Sequence, residues 1–328
     1  MKKLLYILVF LGMSSCSEDF LEIFPETTLN EGNFYQTQEE FILLANGCYV
    51  PMRNYEKDLH WVLAELISDN TSFQYNIRTG EAVRGVIDRE GVSWSNEAYK
   101  DRSEGEALFL RALYYFNLVR QYGGVPLVTL PITAQEAVNI DRSTEEQVYQ
   151  QIISDLESAT THFSNATAVH EDGRANKYAA QALLGKVYLT QKNYTQAASV
   201  LKEVIDSGQY SLLPEYADLY DPSNPDFTET LFSIQYSENN RDLSNRFIFM
   251  FAPWSSEGEI TNRPNISMVS AGWNIPTEDL VNAFEEGDKR KAVSINTWTG
   301  PDWDGEIRDL SYIGKFKPPV SAPDDRCG

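Results

Sequence analysis

Apolar residues recur at helical spacing over most of the first two thirds of this 328-residue chain. A first helix is predicted at about 36–53, where Leu44 and Cys48 lie one turn apart. A second apolar run follows at 56–69. Residues 70–96 are polar and contain three glycines, which is typical of loops. The pattern predicts a mainly α-helical protein.

The clearest helix is predicted from near Glu104 to Tyr122, because its residues are apolar on nearly all sides and such a helix is buried. Two glycines directly after it end the helix. The next helix is predicted to begin with a capping box, in which Ser143 and Glu146 satisfy backbone donors reciprocally. Its core face is expected to consist of Val148, Ile152, Ile153, Leu156 and Ala159.

Residues 174–207 have the pattern of a tetratricopeptide repeat, a pair of short antiparallel helices joined by a turn at 191–193. Small residues let the two helices approach closely, and a tyrosine fills the groove between them. A single repeat is not stable alone, because its apolar face needs a neighbouring repeat to cover it. The segments 105–122 and 143–160 together resemble the preceding repeat. The residues expected to pack the repeat are Leu184, Gly185, Tyr188, Ala197 and Leu201.

The pattern changes after residue 208. Residues 209–276 contain six prolines and many aromatic residues, and the region is too long to be a mere connection. Only 230–236 predicts a strand, and one more helix is predicted at 277–286 with Thr277 as its N-cap. We therefore expect tetratricopeptide-like units at about 105–208 and a loop-rich ligand region at about 209–328.

The first 16 residues have the order of a bacterial lipoprotein signal. Two lysines precede an apolar run that is too short to span a bilayer, and Cys16 directly follows small residues. In such signals the thiol takes a lipid and becomes the new N-terminus, whereas an ordinary signal peptide needs no cysteine. We expect 1–15 to be a cleaved signal, 16–32 an acidic tether and 33–328 a single domain.

Composition narrows the possible partners. Hydrophobic residues make up 42% of the chain, which suffices for a packed core, and the net charge is −21. A protein with this negative charge repels phosphate backbones and anionic lipids. We therefore expect no nucleic-acid partner, and membrane contact only through the lipid on Cys16. Cys48 is most simply a small buried residue, and its pairing with Cys327 is left open.

Several stretches, in order along the chain, resemble the SusD/RagB family of Bacteroidetes outer-membrane lipoproteins. They are Cys16-Ser-Glu-Asp-Phe-Leu-Glu22, the helix from Glu104 to Arg120 with Tyr122-Gly-Gly-Val-Pro-Leu127, Ala182-Leu-Leu-Gly-Lys-Val-Tyr-Leu189, and Thr277-Glu-Asp-Leu-Val-Asn-Ala-Phe284. The family continues past Lys315-Phe-Lys-Pro318 into further helices, so by this resemblance the chain is shortened at its C-terminus.

The resemblance implies a SusD-like α-superhelical scaffold of tetratricopeptide-like repeats. It also implies a lipid-anchored protein on the outer face of the outer membrane, where the acidic residues after Cys16 resemble a surface-export signal. Such proteins bind glycans and deliver them to a TonB-dependent transporter of the SusC type, against which the repeats pack. Some relatives serve peptide uptake, so a peptide cargo stays open.

Sugars are recognised by exposed aromatic rings and by side chains that bond hydroxyl groups. For any single aromatic residue, packing beneath a loop is the more common role. The candidates for ligand contact are Phe73, Tyr75, Asn76, Arg78, Trp254 and Arg263, with Trp273, Trp298 and Trp303 as weaker candidates.

No catalytic residue, cofactor or metal site is predicted. The three histidines lie outside any metal-binding motif, and the sequence lacks a nucleophile elbow, a phosphate-binding loop and a dinucleotide fingerprint. Two alternatives to glycan capture stay open: a glycoside hydrolase that uses two of the many carboxylates, and a repeat scaffold that binds only protein partners.

Overall fold

A computed structural model describes much of the chain between residues 97 and 317 and a few residues before it. The described residues are 46–49, 52, 71–72, 97–130, 132, 134–165, 173–221, 228–236, 247–256, 258–262 and 272–317. The predicted signal, the tether and the helix at 56–69 lie outside them. Of the first predicted helix, residues 46–49 are helical.

Two long helices form the centre of the fold. Helix α1 (Glu97–Tyr122) packs along α3 (Glu145–Asn165), and the short helix α2 (Ala134–Ala137) lies in the connection. Helix α1 begins at Glu97, well before the predicted start near Glu104, and polar contacts that the apolar pattern does not reveal follow at Asp101 with His162 and at Arg102 with Glu106. The shared core of the two helices includes Phe109, Leu110, Phe116, Val119, Val148, Ile152, Leu156 and Ala159.

Helix α3 is capped one residue later than predicted. The N–H of Thr144 donates to Gln147 Oε1 at 2.8 Å, and the N–H of Gln147 donates to Thr144 Oγ1 at 3.2 Å. The predicted box of Ser143 and Glu146 is therefore wrong. The cap lies one residue later because the N–H of Ser143 donates to the carbonyl of Val125 at 3.1 Å. This bond holds Ser143 against the preceding extended stretch.

The repeat pair consists of α4 (Lys177–Thr190) and α5 (Tyr194–Asp206). Asn176 caps α4 by accepting from two backbone N–H groups, and Lys192 adopts a left-handed φ of 61° in the tight turn between the helices. After α5, Gly208 takes φ 64°, a conformation that glycine reaches without strain.

The helices of this pair approach closely at Gly185. A Cβ atom added there would lie 2.5 Å from Leu201 Cδ2 on α5. Leu184 and Ala197 are buried beside this contact. The Tyr188 ring packs on the core, and its hydroxyl donates to Glu157 of α3 at 3.3 Å, so this residue also joins the pair to the preceding helix.

Two buried ion-pair clusters connect α1 to its neighbours. Arg111 donates to both carboxylate oxygens of Asp155 on α3, at 2.8 and 2.7 Å. Glu106 is fully buried and accepts from Arg174, which directly precedes α4, and from Arg102. Each buried carboxylate in these clusters has a guanidinium partner, so neither carboxylate places an unpaired negative charge in the core.

The loop-rich region contains short elements: a 3₁₀ turn at Tyr216–Tyr220, α6 (Phe247–Phe251), a 3₁₀ turn at Trp254–Ser256, α7 (Glu278–Asn282) and α8 (Lys289–Ser294). Strand β1 (Thr71–Ser72) pairs antiparallel with β2 (Ile275–Pro276), and β3 (Ile295–Pro301) forms a hairpin with β4 (Ile307–Ile313). A second small core forms around Met250 and Phe251, with Phe247, Trp273, Ile313 and Phe316 packed against it.

Three local predictions in this region differ from the structure. Residues 230–236 form no strand, because Phe232 and Ile234 pack on the helical core, and the ring of Phe232 lies 5.0 Å from that of Phe109. The helix predicted at 277–286 ends at Asn282, although Thr277 caps it as expected by accepting from the N–H of Leu280. The β3–β4 hairpin was not predicted. Within the described residues, no helix is long and apolar enough to cross a membrane.

Candidate ligand-binding site

The predicted ligand residues divide into those that the structure describes and those that it does not. Trp254 lies in the 3₁₀ turn after α6, and 44% of its surface is exposed. The lipid-attachment cysteine and the remaining candidates lie outside the described residues: Cys16, Phe73, Tyr75, Asn76, Arg78 and Arg263.

One short segment, 272–276, contacts the neighbours of both predicted ligand segments. On one side, Ser72 pairs with Ile275 in the β1–β2 ladder, and Ser72 directly precedes the predicted ligand loop 73–78. On the other side, the N–H of Trp273 donates to the carbonyl of Met250 at 2.8 Å, and α6 leads within a few residues to Trp254. Backbone hydrogen bonds therefore connect the segment 272–276 to α6 and to β1, whose next residue along the chain is Phe73.

The described tryptophans of this region have different roles. Trp273 packs against Met250 and Phe251 in the second core, as expected of a buried aromatic. The Trp298 ring covers Gly300, since a Cβ added to that glycine would lie 2.0 Å from the ring, and its indole N–H donates to Glu259 at 3.1 Å. These two rings are held by packing.

Trp254 and Trp303 present their rings to solvent. The turn that carries Trp254 lies beside strand β3. Trp303 is 69% exposed at the tip of the β3–β4 hairpin. A flat apolar ring that is open to solvent suits the CH face of a sugar.

The hairpin tip is braced by charge. Arg308 donates to Asp302 at 2.7 Å and to Asp304 at 2.6 Å, on either side of Trp303. Hydrogen bonds from the Arg308 guanidinium hold the pKa of Asp304 below its usual range. Asp304 therefore stays ionised to a lower pH than an ordinary aspartate, and the ion pair between Arg308 and the turn is kept over that range.

Two polar oxygens near these rings are buried without a hydrogen-bond partner. They are Ser255 Oγ, next to Trp254, and Asn274 Oδ1, next to Trp273. Asn274 is 4% exposed and adopts a left-handed φ of 54°. Buried acceptors are nearly always paired with protein groups or ordered water, so these two oxygens are exceptions within the loop-rich region. The sequence carried no signal for either oxygen, because their burial depends on contacts between distant segments.

These features define a class of protein: a mainly α-helical chain of tetratricopeptide-like units that is followed by a loop-rich region with exposed tryptophans. Residues 86–189 match a SusD-like family model described as "starch-binding associating with outer membrane". The matched stretch includes all of α1 and α3 and nearly all of α4.

Relatives match over a longer part of the chain. A SusD-like protein of Formosa agariphila is 24% identical, over 89% of this chain and 68% of that protein. A solved laminarin-binding SusD-like protein is also 24% identical and superposes with a TM-score of 0.68, over 87% of this chain and 73% of its own. Surface glycan-binding protein A from Bacteroides thetaiotaomicron, solved with laminarihexaose, is 15% identical with a TM-score of 0.64, over 85% of this chain and 70% of its own.

These matches support the membership of the SusD/RagB family that the ordered motifs from Glu104 to Phe284 predict. The fold of the chain is the helical, tetratricopeptide-containing fold of that family.

Proposed function

We propose that this protein is a lipid-anchored, cell-surface glycan-binding protein that captures a neutral oligosaccharide or polysaccharide and delivers it to a TonB-dependent transporter of the SusC type. The family is described as starch-binding and outer-membrane-associated, and two structures of the same fold carry laminarin or laminarihexaose in their names. The protein acts by binding and not by hydrolysis.

The observation that carries the proposal is the exposed ring of Trp254. It lies beside the unpaired Ser255 Oγ, and its segment is joined through 272–276 to β1, which leads into the predicted loop 73–78. A ring for the CH face of a sugar and unpaired oxygens for its hydroxyl groups are the two components that glycan recognition needs.

The charge of the chain favours a neutral cargo. At −21 it repels polyanions, so uronic-acid or sulfated glycans would be disfavoured over long range. Neutral glucans such as those in the names of the related structures carry no such penalty.

The remaining parts of the proposal concern the anchor and the partner. Cys16 would carry the lipid, and the acidic residues after it would direct the protein to the outer face. The scaffold supports contact with a partner protein, because Leu189, Tyr194 and Ile205 on α4 and α5 are more than half exposed. The transporter would cover this helical surface while the tryptophan side stays open to glycan.

Isothermal titration tests the binding step. Laminarihexaose and maltoheptaose are titrated into the protein and into the variant Trp254→Ala. We expect saturable binding of at least one glucan and a loss of that binding in the variant. A flat titration across a panel of neutral glycans would overturn the proposal, and so would release of reducing sugar by the purified protein.

A further inference from the structure

We propose that Asp101, Glu104 and His162 form a binding site for a divalent transition-metal cation of the zinc type, which joins helix α1 to helix α3. The site lies on the scaffold, and it does not involve the tryptophans of the candidate ligand-binding site. It rests on three observations: the convergence of the donor atoms, their charge, and their chemical type.

The three donor atoms converge from two helices. His162 Nδ1 lies 2.8 Å from Asp101 Oδ1 and 3.4 Å from Glu104 Oε2, and all three atoms lie within 4.8 Å of one another. Asp101 and Glu104 are three residues apart on α1 and therefore share a face, which His162 meets from the last turn of α3. Zinc binds nitrogen and oxygen at about 2.0–2.2 Å, so tetrahedral ligand atoms lie roughly 3.3 Å apart. The separations of 2.8 and 3.4 Å from His162 Nδ1 lie on either side of that value.

The charge of this cluster differs from that of the two buried ion-pair clusters on α1. Asp155 is matched by Arg111, and Glu106 is matched by Arg102 and Arg174. In the part of the chain that the structure describes, neither Asp101 nor Glu104 has a lysine or arginine partner. An imidazole that ligates a metal is neutral, so in the metal-bound state the two carboxylates carry two negative charges, which one divalent cation neutralises.

The donor types select among cations. An imidazole nitrogen with two carboxylate oxygens suits zinc and its first-row neighbours, whereas calcium and magnesium take oxygen ligands. The three side chains are 25% to 39% exposed, which leaves the ion accessible and a coordination position open to water. A bound ion would link the start of α1 to the end of α3 and so stabilise the scaffold.

Calorimetric titration of the chelator-treated full chain with zinc chloride tests this proposal. We expect one site whose affinity falls at least about tenfold in His162→Gln and in Glu104→Gln. Glu157→Gln is the matched control, since it also removes a carboxylate from the surface of α3 but lies outside the cluster, and its affinity should equal that of the wild type. Magnesium and calcium chloride should bind far more weakly.

Thermal unfolding supplies a second measurement. Zinc should raise the melting temperature of the wild type and of Glu157→Gln, and should raise that of His162→Gln much less. Far-ultraviolet circular dichroism of the metal-free variants shows whether each one is folded. Zinc binding of wild-type affinity in both His162→Gln and Glu104→Gln, or no zinc binding by the wild type, would overturn the proposal.

Discussion

The helical scaffold from α1 to α5 and the loop-rich region from α6 to β4 differ in how their polar groups are paired and how their aromatic rings are exposed. In the scaffold, the buried carboxylates Glu106 and Asp155 each bind a guanidinium. The one scaffold oxygen that is buried and unpaired among the described residues is Gln181 Oε1, on a side chain whose amide nitrogen already donates to Glu203. In the loop-rich region, Ser255 Oγ is unpaired next to the exposed Trp254, and Asn274 Oδ1 is unpaired next to Trp273, which packs in the second core.

The comparison teaches where function is placed in this fold. The scaffold uses its polar groups to hold helices together, so removing one of them should cost stability. The loop-rich region combines solvent-exposed rings with buried oxygens that have no hydrogen-bond partner, so removing one of these groups should cost ligand affinity and little stability. Each prediction below tests one side of this division, with the largest expected effect first.

Replacing Asp155 with alanine should destabilise the protein by about 3–5 kcal/mol, because it removes the carboxylate that neutralises the buried guanidinium of Arg111. Chemical denaturation measures this free energy of unfolding. Glu146→Ala, at an exposed position of the same helix, should cost well under about 1 kcal/mol. Equal effects of the two substitutions would show that the buried pair does not hold α1 to α3.

Gly185→Leu should cost about 1–3 kcal/mol, because the new side chain must displace Leu201 and force α4 away from α5. Gly47 is a matched control, since it is also helical but nothing lies within 4 Å of an added Cβ. Gly47→Leu should therefore be neutral or slightly stabilising in the same denaturation experiment. A destabilisation as large as that of Gly185→Leu would contradict the close helix approach.

Trp254→Ala should weaken binding of a neutral glucan tenfold or more, equivalent to about 1.4 kcal/mol or more, because the ring offers its exposed face to the sugar. The melting temperature should barely change. Tyr194→Ala removes an aromatic ring of the scaffold that is 63% exposed, and should leave the affinity unaltered. Titration calorimetry of both variants shows whether only the Trp254 ring contributes to glucan affinity. Equal losses of affinity in the two variants would contradict a specific role of Trp254.

Asn274→Gly should reduce glucan affinity several-fold, because it removes an unpaired oxygen that would accept from a ligand hydroxyl. Glycine is the suitable replacement, since it adopts the left-handed φ of 54° without the strain that alanine would add. The free energy of unfolding should change little, as no internal hydrogen bond is lost at Oδ1. A large loss of stability with unchanged affinity would assign Asn274 to the fold.

The scaffold could be predicted from sequence because apolar spacing in helices is a local property. The error at the start of α3 shows the limit of that reasoning. The sequence contains two overlapping capping boxes, Ser143 with Glu146 and Thr144 with Gln147, and local preference does not choose between them. The choice is made by the bond from Ser143 to the carbonyl of Val125, which lies far away in sequence.

The candidate site was less predictable, because its parts meet only through non-local pairing. Trp254 was identified as a loop aromatic, but nothing near it in sequence indicates that 272–276 pairs with β1 on one side and bonds to α6 on the other. The β3–β4 hairpin was missed for a related reason. Pro301 ends β3, and a proline in a run of sequence argues against a strand unless the pairing is known.

Hydrogen–deuterium exchange with and without a saturating neutral glucan tests the central claim most directly, because it compares the two regions in one experiment. The account predicts slower exchange on binding in peptides that cover 249–256 and 272–276, and unchanged exchange in α3, α4 and α5. Protection confined to those scaffold helices, with the loop-rich region unaffected, would contradict it.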